Sequence, residues 1–206
     1  MPVFTKDNKN FLFIHVPKTG GTSIETVFYQ SGWNISYVDF GGQGSLNHLR
    51  RCSPQHMHKE MLQSIFNLDK FDEIFMLVRN PYKRLCSEYC WANRANLDSA
   101  MAIDPWVKEA IKAYTKDNYI LDNHLRPQNE FQVPNTVVYK LEQGFESVLK
   151  DIENRHHIKL KIEDKRELSS ERISGVSPDK VEMDQSTKKL IYDHYFTDFQ
   201  SYGYAE

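Results

Sequence analysis

Short apolar runs and amphipathic stretches follow one another along the chain, and their alternation predicts strands and helices in turn. The run Phe11-Leu12-Phe13-Ile14 belongs to a strand expected over 10–16, and Ile24-Glu25-Thr26-Val27-Phe28-Tyr29 to a helix over 21–31. A further strand is expected near 34–40, and Gly41-Gly42-Gln43-Gly44-Ser45 reads as a flexible loop. Ser53-Pro54, a capping serine before a first-turn proline, predicts a helix running to about Asn67. The apolar run from Ile74 to Val78 marks a buried strand over 71–78, followed by a helix over 81–96. Trp106, Val107, Ala110, Ile111 and Tyr114 recur at helical spacing within 104–116. Residues 136–141 read as a third buried strand, with a helix over 145–154. The charged, Ser-rich stretch 163–183 reads as an exposed loop. The last helix, 185–195, leads into an aromatic tail over 195–204. This order predicts an α/β fold: a single domain over 1–206 with a central parallel sheet flanked by helices.

Two strand-to-helix junctions carry chemistry. The first is Pro17-Lys18-Thr19-Gly20-Gly21-Thr22-Ser23. Free backbone N–H groups and the positive end of the following helix converge in such a turn and attract an anion. Lys18 adds a mobile charge, and Thr19, Thr22 and Ser23 add donors. A turn that merely connects strand to helix needs none of these, so the turn is expected to hold phosphate or sulfate. A Walker loop places its lysine after the last glycine, whereas Lys18 precedes Gly20 and Gly21. At the second junction Arg79 stands where the strand ends, Asn80 can cap, and Pro81 suits the first helical position. Arg84 and Ser87 follow, three residues apart on one helical face.

The loop resembles the 5′-phosphosulfate-binding loop of sulfotransferases that use 3′-phosphoadenosine 5′-phosphosulfate (PAPS). The order Arg-x-Pro-x-x-Arg-x-x-Ser over 79–87 resembles their 3′-phosphate motif. Residues 137–142 and the closing Asp198-Phe199-x-x-Tyr202-Gly203-Tyr204 are similar to later parts of the same family. The chain thus resembles the PAPS-dependent sulfotransferases related to heparan sulfate 2-O- and chondroitin-type enzymes, including their short microbial members. The resemblance implies a P-loop-like nucleotide-binding architecture. It also implies transfer of a sulfuryl group from PAPS to an acceptor hydroxyl, on a carbohydrate or glycoconjugate, with release of 3′,5′-adenosine bisphosphate and no metal. Pro17 to Ser23 would cradle the 5′-phosphate, Lys18 would reach the bridging oxygen, and Arg79 and Ser87 would hold the 3′-phosphate. His56-Met57-His58 resembles the family's base region, with His58 as the base and His56 as its orienter or substitute. A helix N-terminus beside these histidines would depress an imidazole's pKa and keep it able to accept a proton. His124, Arg126 and Gln128 are expected near the acceptor. Trp91, Arg94 and Trp106 either line an acceptor groove or pack the core, and His15 reads as a satisfied core histidine.

Composition narrows the partners. With 26 basic and 28 acidic residues, net charge −2, the chain has no general attraction for nucleic acid or an anionic membrane, so anion affinity must be local. No apolar run is long enough to span a bilayer, and the polar opening of the chain lacks a signal-peptide core. The expectation is a cytoplasmic enzyme or the trimmed catalytic domain of a Golgi-type one. Cys52, Cys86 and Cys90 cannot all pair with one another; Cys86 and Cys90 read as core thiols, without metal-site spacing. Two rival readings remain. A nucleotide-dependent kinase would want a Walker lysine and an acidic metal site. A non-catalytic module for a phosphonucleotide or sulfated glycan would bind without turnover.

Overall fold

A computed structural model describes residues 1–95, 102–162 and 181–206. These group into two compact units, Met1–Val78 with 130–162, and Arg79–Asn129 with 181–206.

The first unit is built on a five-stranded sheet in the order β3-β1-β2-β4-β5. Its strands are β1 (Val3–Lys6), β2 (Lys9–Ile14), β3 (Asn34–Ser36), β4 (Glu73–Val78) and β5 (Val137–Lys140). The expected parallel sheet is the triplet β2-β4-β5, in register from Phe11 opposite Glu73 and from Phe75 opposite Val137. Two antiparallel strands extend it, β1 on β2 and β3 on β1, so the sheet is mixed. The sequence gives little sign of β1, because Thr5 to Asn10 is a polar run. Its hairpin is made by Asp7 and Asn8, both at positive φ (48° and 62°), the conformation a two-residue type I′ turn requires. The strand expected over 34–40 is confined to Asn34–Ser36.

All six residues of β4 are buried, as befits a parallel strand covered on both faces. Helices α1 (Gly21–Gln30), α2 (Lys59–Ile65) and α5 (Phe145–His156) belong to this unit. Helix α1 turns Ile24, Val27 and Phe28 into the core, where Phe28 stacks on Phe4 at 4.2 Å and Phe13 on Phe75 at 5.0 Å. Each such ring contributes about 1.5–3 kcal/mol by burial. At the start of β4, buried Glu73 accepts from Arg155 (3.0 Å), and His156 lies 2.5 Å from the same oxygen, which ties α5 to the sheet. Strands β2 and β4 are parallel neighbours, so both chains leave the sheet at one edge, the edge at which open α/β sheets bind ligands.

The second unit is helical among the described residues: α3 (Pro81–Ala92), α4 (Ile103–Tyr114), α6 (Gln185–His194) and α7 (Phe196–Tyr202). Leu85, Tyr89, Cys90, Val107, Ile111, Ile191 and Phe199 form its core, so Cys86 and Cys90 are buried thiols. Trp106 packs edge-on to Tyr89 at 5.5 Å, which assigns it to packing. The tail expected after residue 195 is helix α7, with Phe199 and Tyr202 buried. Tyr195, between the two helices, is buried and donates its hydroxyl to the Leu125 carbonyl at 2.8 Å. Most of the loop expected over 163–183 lies outside the described residues. No described helix is long and apolar enough to cross a membrane.

Candidate active site

The first junction follows directly from β2. Val16 and Pro17 are buried, and the Thr19 hydroxyl donates to the Val16 carbonyl at 2.8 Å, closing the turn. Lys18 (φ 68°) and Gly20 (φ 89°) adopt left-handed backbone, which glycine takes without a Cβ penalty. Gly20 heads α1, and no side chain caps the helix. Its first amides, those of Gly21 and Thr22, therefore point out of the helix end with its partial positive charge. Gly21 is needed for a different reason: a Cβ there would lie 2.2 Å from the His15 ring. Thr22 is exposed and Ser23 half-buried at the mouth of this turn.

His15 lies beneath the loop. Its Nδ1 is 2.5 Å from Glu25 Oε1, and both side chains are buried. The Met1 sulfur accepts its backbone N–H at 2.8 Å. His15 is thus a satisfied buried histidine, and its partner is a carboxylate that sequence reasoning did not single out. The available signal was an acidic residue between Ile24 and Val27 on the apolar face of α1.

The helix expected from Ser53 is broken in two. Pro54–His56 form a single 3₁₀ turn, Met57 and His58 are extended, and α2 starts at Lys59 with His58 as its N-cap residue. Ser53 makes no capping bond; its hydroxyl lies 3.2 Å from His56 Nδ1. His56 and His58 therefore do not share one regular helix. The half-buried His56 ring packs edge-on to that of His15 at 5.0 Å. His58 is buried, with Nε2 3.1 Å from Glu60. Between these parts, the Gly-rich loop expected to be flexible is tied to Asp39. Its carboxylate accepts from the amides of Gly41 (3.1 Å) and Leu46 (3.0 Å) and from Arg50 (2.7 Å). Hydrogen bonds, that from Ser45 foremost, lower the Asp39 pKa to about 2.

In the second unit, Asn80 caps α3 by accepting from the amides of Tyr82 (3.0 Å) and Lys83 (3.3 Å), with Pro81 in the first turn. Arg79 is half-exposed and Ser87 buried. Arg84 is also buried and donates to the His124 carbonyl at 2.7 Å. His124 in turn sets Nδ1 2.6 Å from buried Glu88. Arg126 is taken up by Asn123 (3.1 Å) and the Asn118 carbonyl (3.4 Å) and lies over the Tyr119 ring. Gln128 has its carboxamide on the backbone of Arg79: Oε1 accepts from the amide and Nε2 donates to the carbonyl, both at 2.9 Å. Arg94 stacks on Trp91 at 4.1 Å.

A strand, a left-handed glycine, an uncapped helix end and a lysine meet in one turn, a P-loop-like arrangement on an α/β sheet. The family comparison agrees: the sulfotransferase family model matches residues 1–205. The chain belongs to the sulfotransferase family, that of the heparan sulfate 2-O- and chondroitin sulfotransferases, whose chemistry is sulfuryl transfer. No curated protein and no solved structure matches the chain.

Proposed function

We propose that this chain moves a sulfuryl group from PAPS to a hydroxyl of a carbohydrate or glycoconjugate, with 1–206 acting as one catalytic domain. The observation that carries this reading is the uncapped start of α1 behind left-handed Gly20, with Lys18 in the same turn. A dianionic phosphate fits that cradle of amides. Pro17 to Ser23 hold the 5′-phosphate end, and Arg79 and Ser87 take the 3′-phosphate.

In the reaction, the bond from sulfur to the donor's phosphate oxygen breaks while the acceptor oxygen bonds to sulfur. The acceptor's proton passes to His58, whose imidazolium is balanced by Glu60 at 3.1 Å. The bridging oxygen leaves on the 5′-phosphate of 3′,5′-adenosine bisphosphate, and the Lys18 ammonium meets its growing charge. His56, supported by Ser53 and His15, orients or replaces His58. His124 is the acceptor-side residue of this reading, and Arg126, bonded to Asn123 and the Asn118 carbonyl, holds the segment that carries it.

The test is thermal stabilisation by 3′,5′-adenosine bisphosphate against ADP at matched concentration, since a ligand of the native state raises the melting temperature by mass action. A larger shift with the bisphosphate is expected. A larger shift with ADP, or none with either, would overturn the PAPS assignment. Bisphosphate binding without turnover on any sulfate acceptor would favour the binding-module reading.

A further inference from the structure

Arg79 is the first residue past the sheet: the β4–β5 ladder closes with Val78 opposite Lys140. Its peptide groups are instead bonded by the carboxamide of Gln128, which offers one acceptor and one donor, as a neighbouring strand would. Gln128 is itself fully buried and fixed from behind. Asp198, in the first turn of α7, accepts the Gln128 amide on Oδ2 (2.8 Å) and the Asn129 amide on Oδ1 (2.9 Å). Asp198 is also fully buried, and burial raises its pKa against the opposing pull of Arg84 and these two amides. A buried carboxylate is costly unless its bonds are made, and packing alone would be served by an apolar residue. Its two oxygens lock residues 128 and 129, and residue 128 locks the backbone of residue 79.

We propose that Gln128 and Asp198 are positioning residues that aim Arg79, and so set the chain's selectivity for a nucleotide carrying a 3′-phosphate. This rests on the assignment of Arg79 to that phosphate. Gln128 accordingly moves from the acceptor side, where the sequence puts it, to the nucleotide side.

Calorimetric titration of 3′,5′-adenosine bisphosphate and of AMP separates the two ideas. Wild type should prefer the bisphosphate; no preference would overturn the Arg79 assignment itself. Gln128→Met keeps the volume and loses both bonds to Arg79. Asp198→Asn turns a donor toward one of the two amides it must accept. Each should weaken bisphosphate binding about tenfold while AMP binding stays within about twofold, the loss expected for one or two hydrogen bonds acting on a single contact. In an Arg79→Ala background, Gln128→Met should cause no further loss, because its effect runs through Arg79. Unchanged selectivity in folded Gln128→Met protein, equal loss for both nucleotides, or full additivity with Arg79→Ala would each overturn the proposal. If Asp198→Asn does not fold, the Gln128 and Arg79 cycle decides alone.

Discussion

The turn before α1 and the turn before α3 both join a parallel strand to a helix, yet they are shaped by different kinds of contact. The first is mostly local: Thr19 closes on Val16, Ser23 on Gly20, and His15 meets Glu25 ten positions away. The second has a local cap in Asn80, but the peptide of Arg79 is fixed from 49 residues away, and the residue that fixes it is held from 70. An anion cradle made of backbone amides can be carried by a short motif, because helix and glycine bring the donors already aimed. A long, flexible arginine must be aimed by its surroundings, and those come from distant parts of the chain.

The contrast can be broken most directly at Lys18. Lys18→Ala removes the charge and keeps a Cβ at the same left-handed position, so turnover should fall about 100- to 1000-fold, as when one transition-state donor is lost. Unfolding curves should match wild type, and near-normal turnover would take Lys18 out of the reaction. The two glycines sharpen the local side. Gly21→Ala drives a methyl into the His15 ring and should cost about 1–3 kcal/mol in urea unfolding. Gly20→Ala should cost about 1–2 kcal/mol for left-handed backbone, and Gly20→Asn less, since asparagine tolerates that region. Wild-type stability in Gly21→Ala, or equal stability of Gly20→Ala and Gly20→Asn, would show that the corresponding constraint does not shape the loop.

The smallest effect is expected at Asp39. Its folded pKa, about 2, lies below the ordinary 3.8, so its contribution is complete above 3.8 and is lost as pH falls through about 2. The amides of Gly41 and Leu46, which donate to this carboxylate, should lose hydrogen-exchange protection across that window. Protection that persists at pH 2 would mean that the loop is held by something else.

What the sequence disclosed follows the same division. The loop, the cap at Asn80 and the three parallel strands were legible, because each is written in neighbouring residues or one apolar run. The β1 hairpin was not, since polar Thr5 to Asn10 hides a turn that depends on two left-handed residues rather than on glycine. The break at Met57–His58 was missed because Ser53 turned to the His56 ring instead of the backbone. Glu25, Gln128 and Asp198 act through partners that no spacing rule connects, and helix α7 was obscured by an aromatic-rich composition typical of a tail.

The longest connection between successive described strands of the sheet runs from β4 to β5. Between the end of β4 at Val78 and the start of β5 at Val137 the chain departs and must return to pair in register. The entropy of such a closure grows only with the logarithm of its length, so doubling the detour costs about 0.6 kcal/mol. Strand pairing here is slow to form, because a distant segment must arrive before any bond repays the closure. Once formed, it depends only weakly on how much chain the detour contains. Insertions between β4 and β5 can therefore enlarge the helical unit at little thermodynamic cost while the glycine turn after β2 keeps its shape.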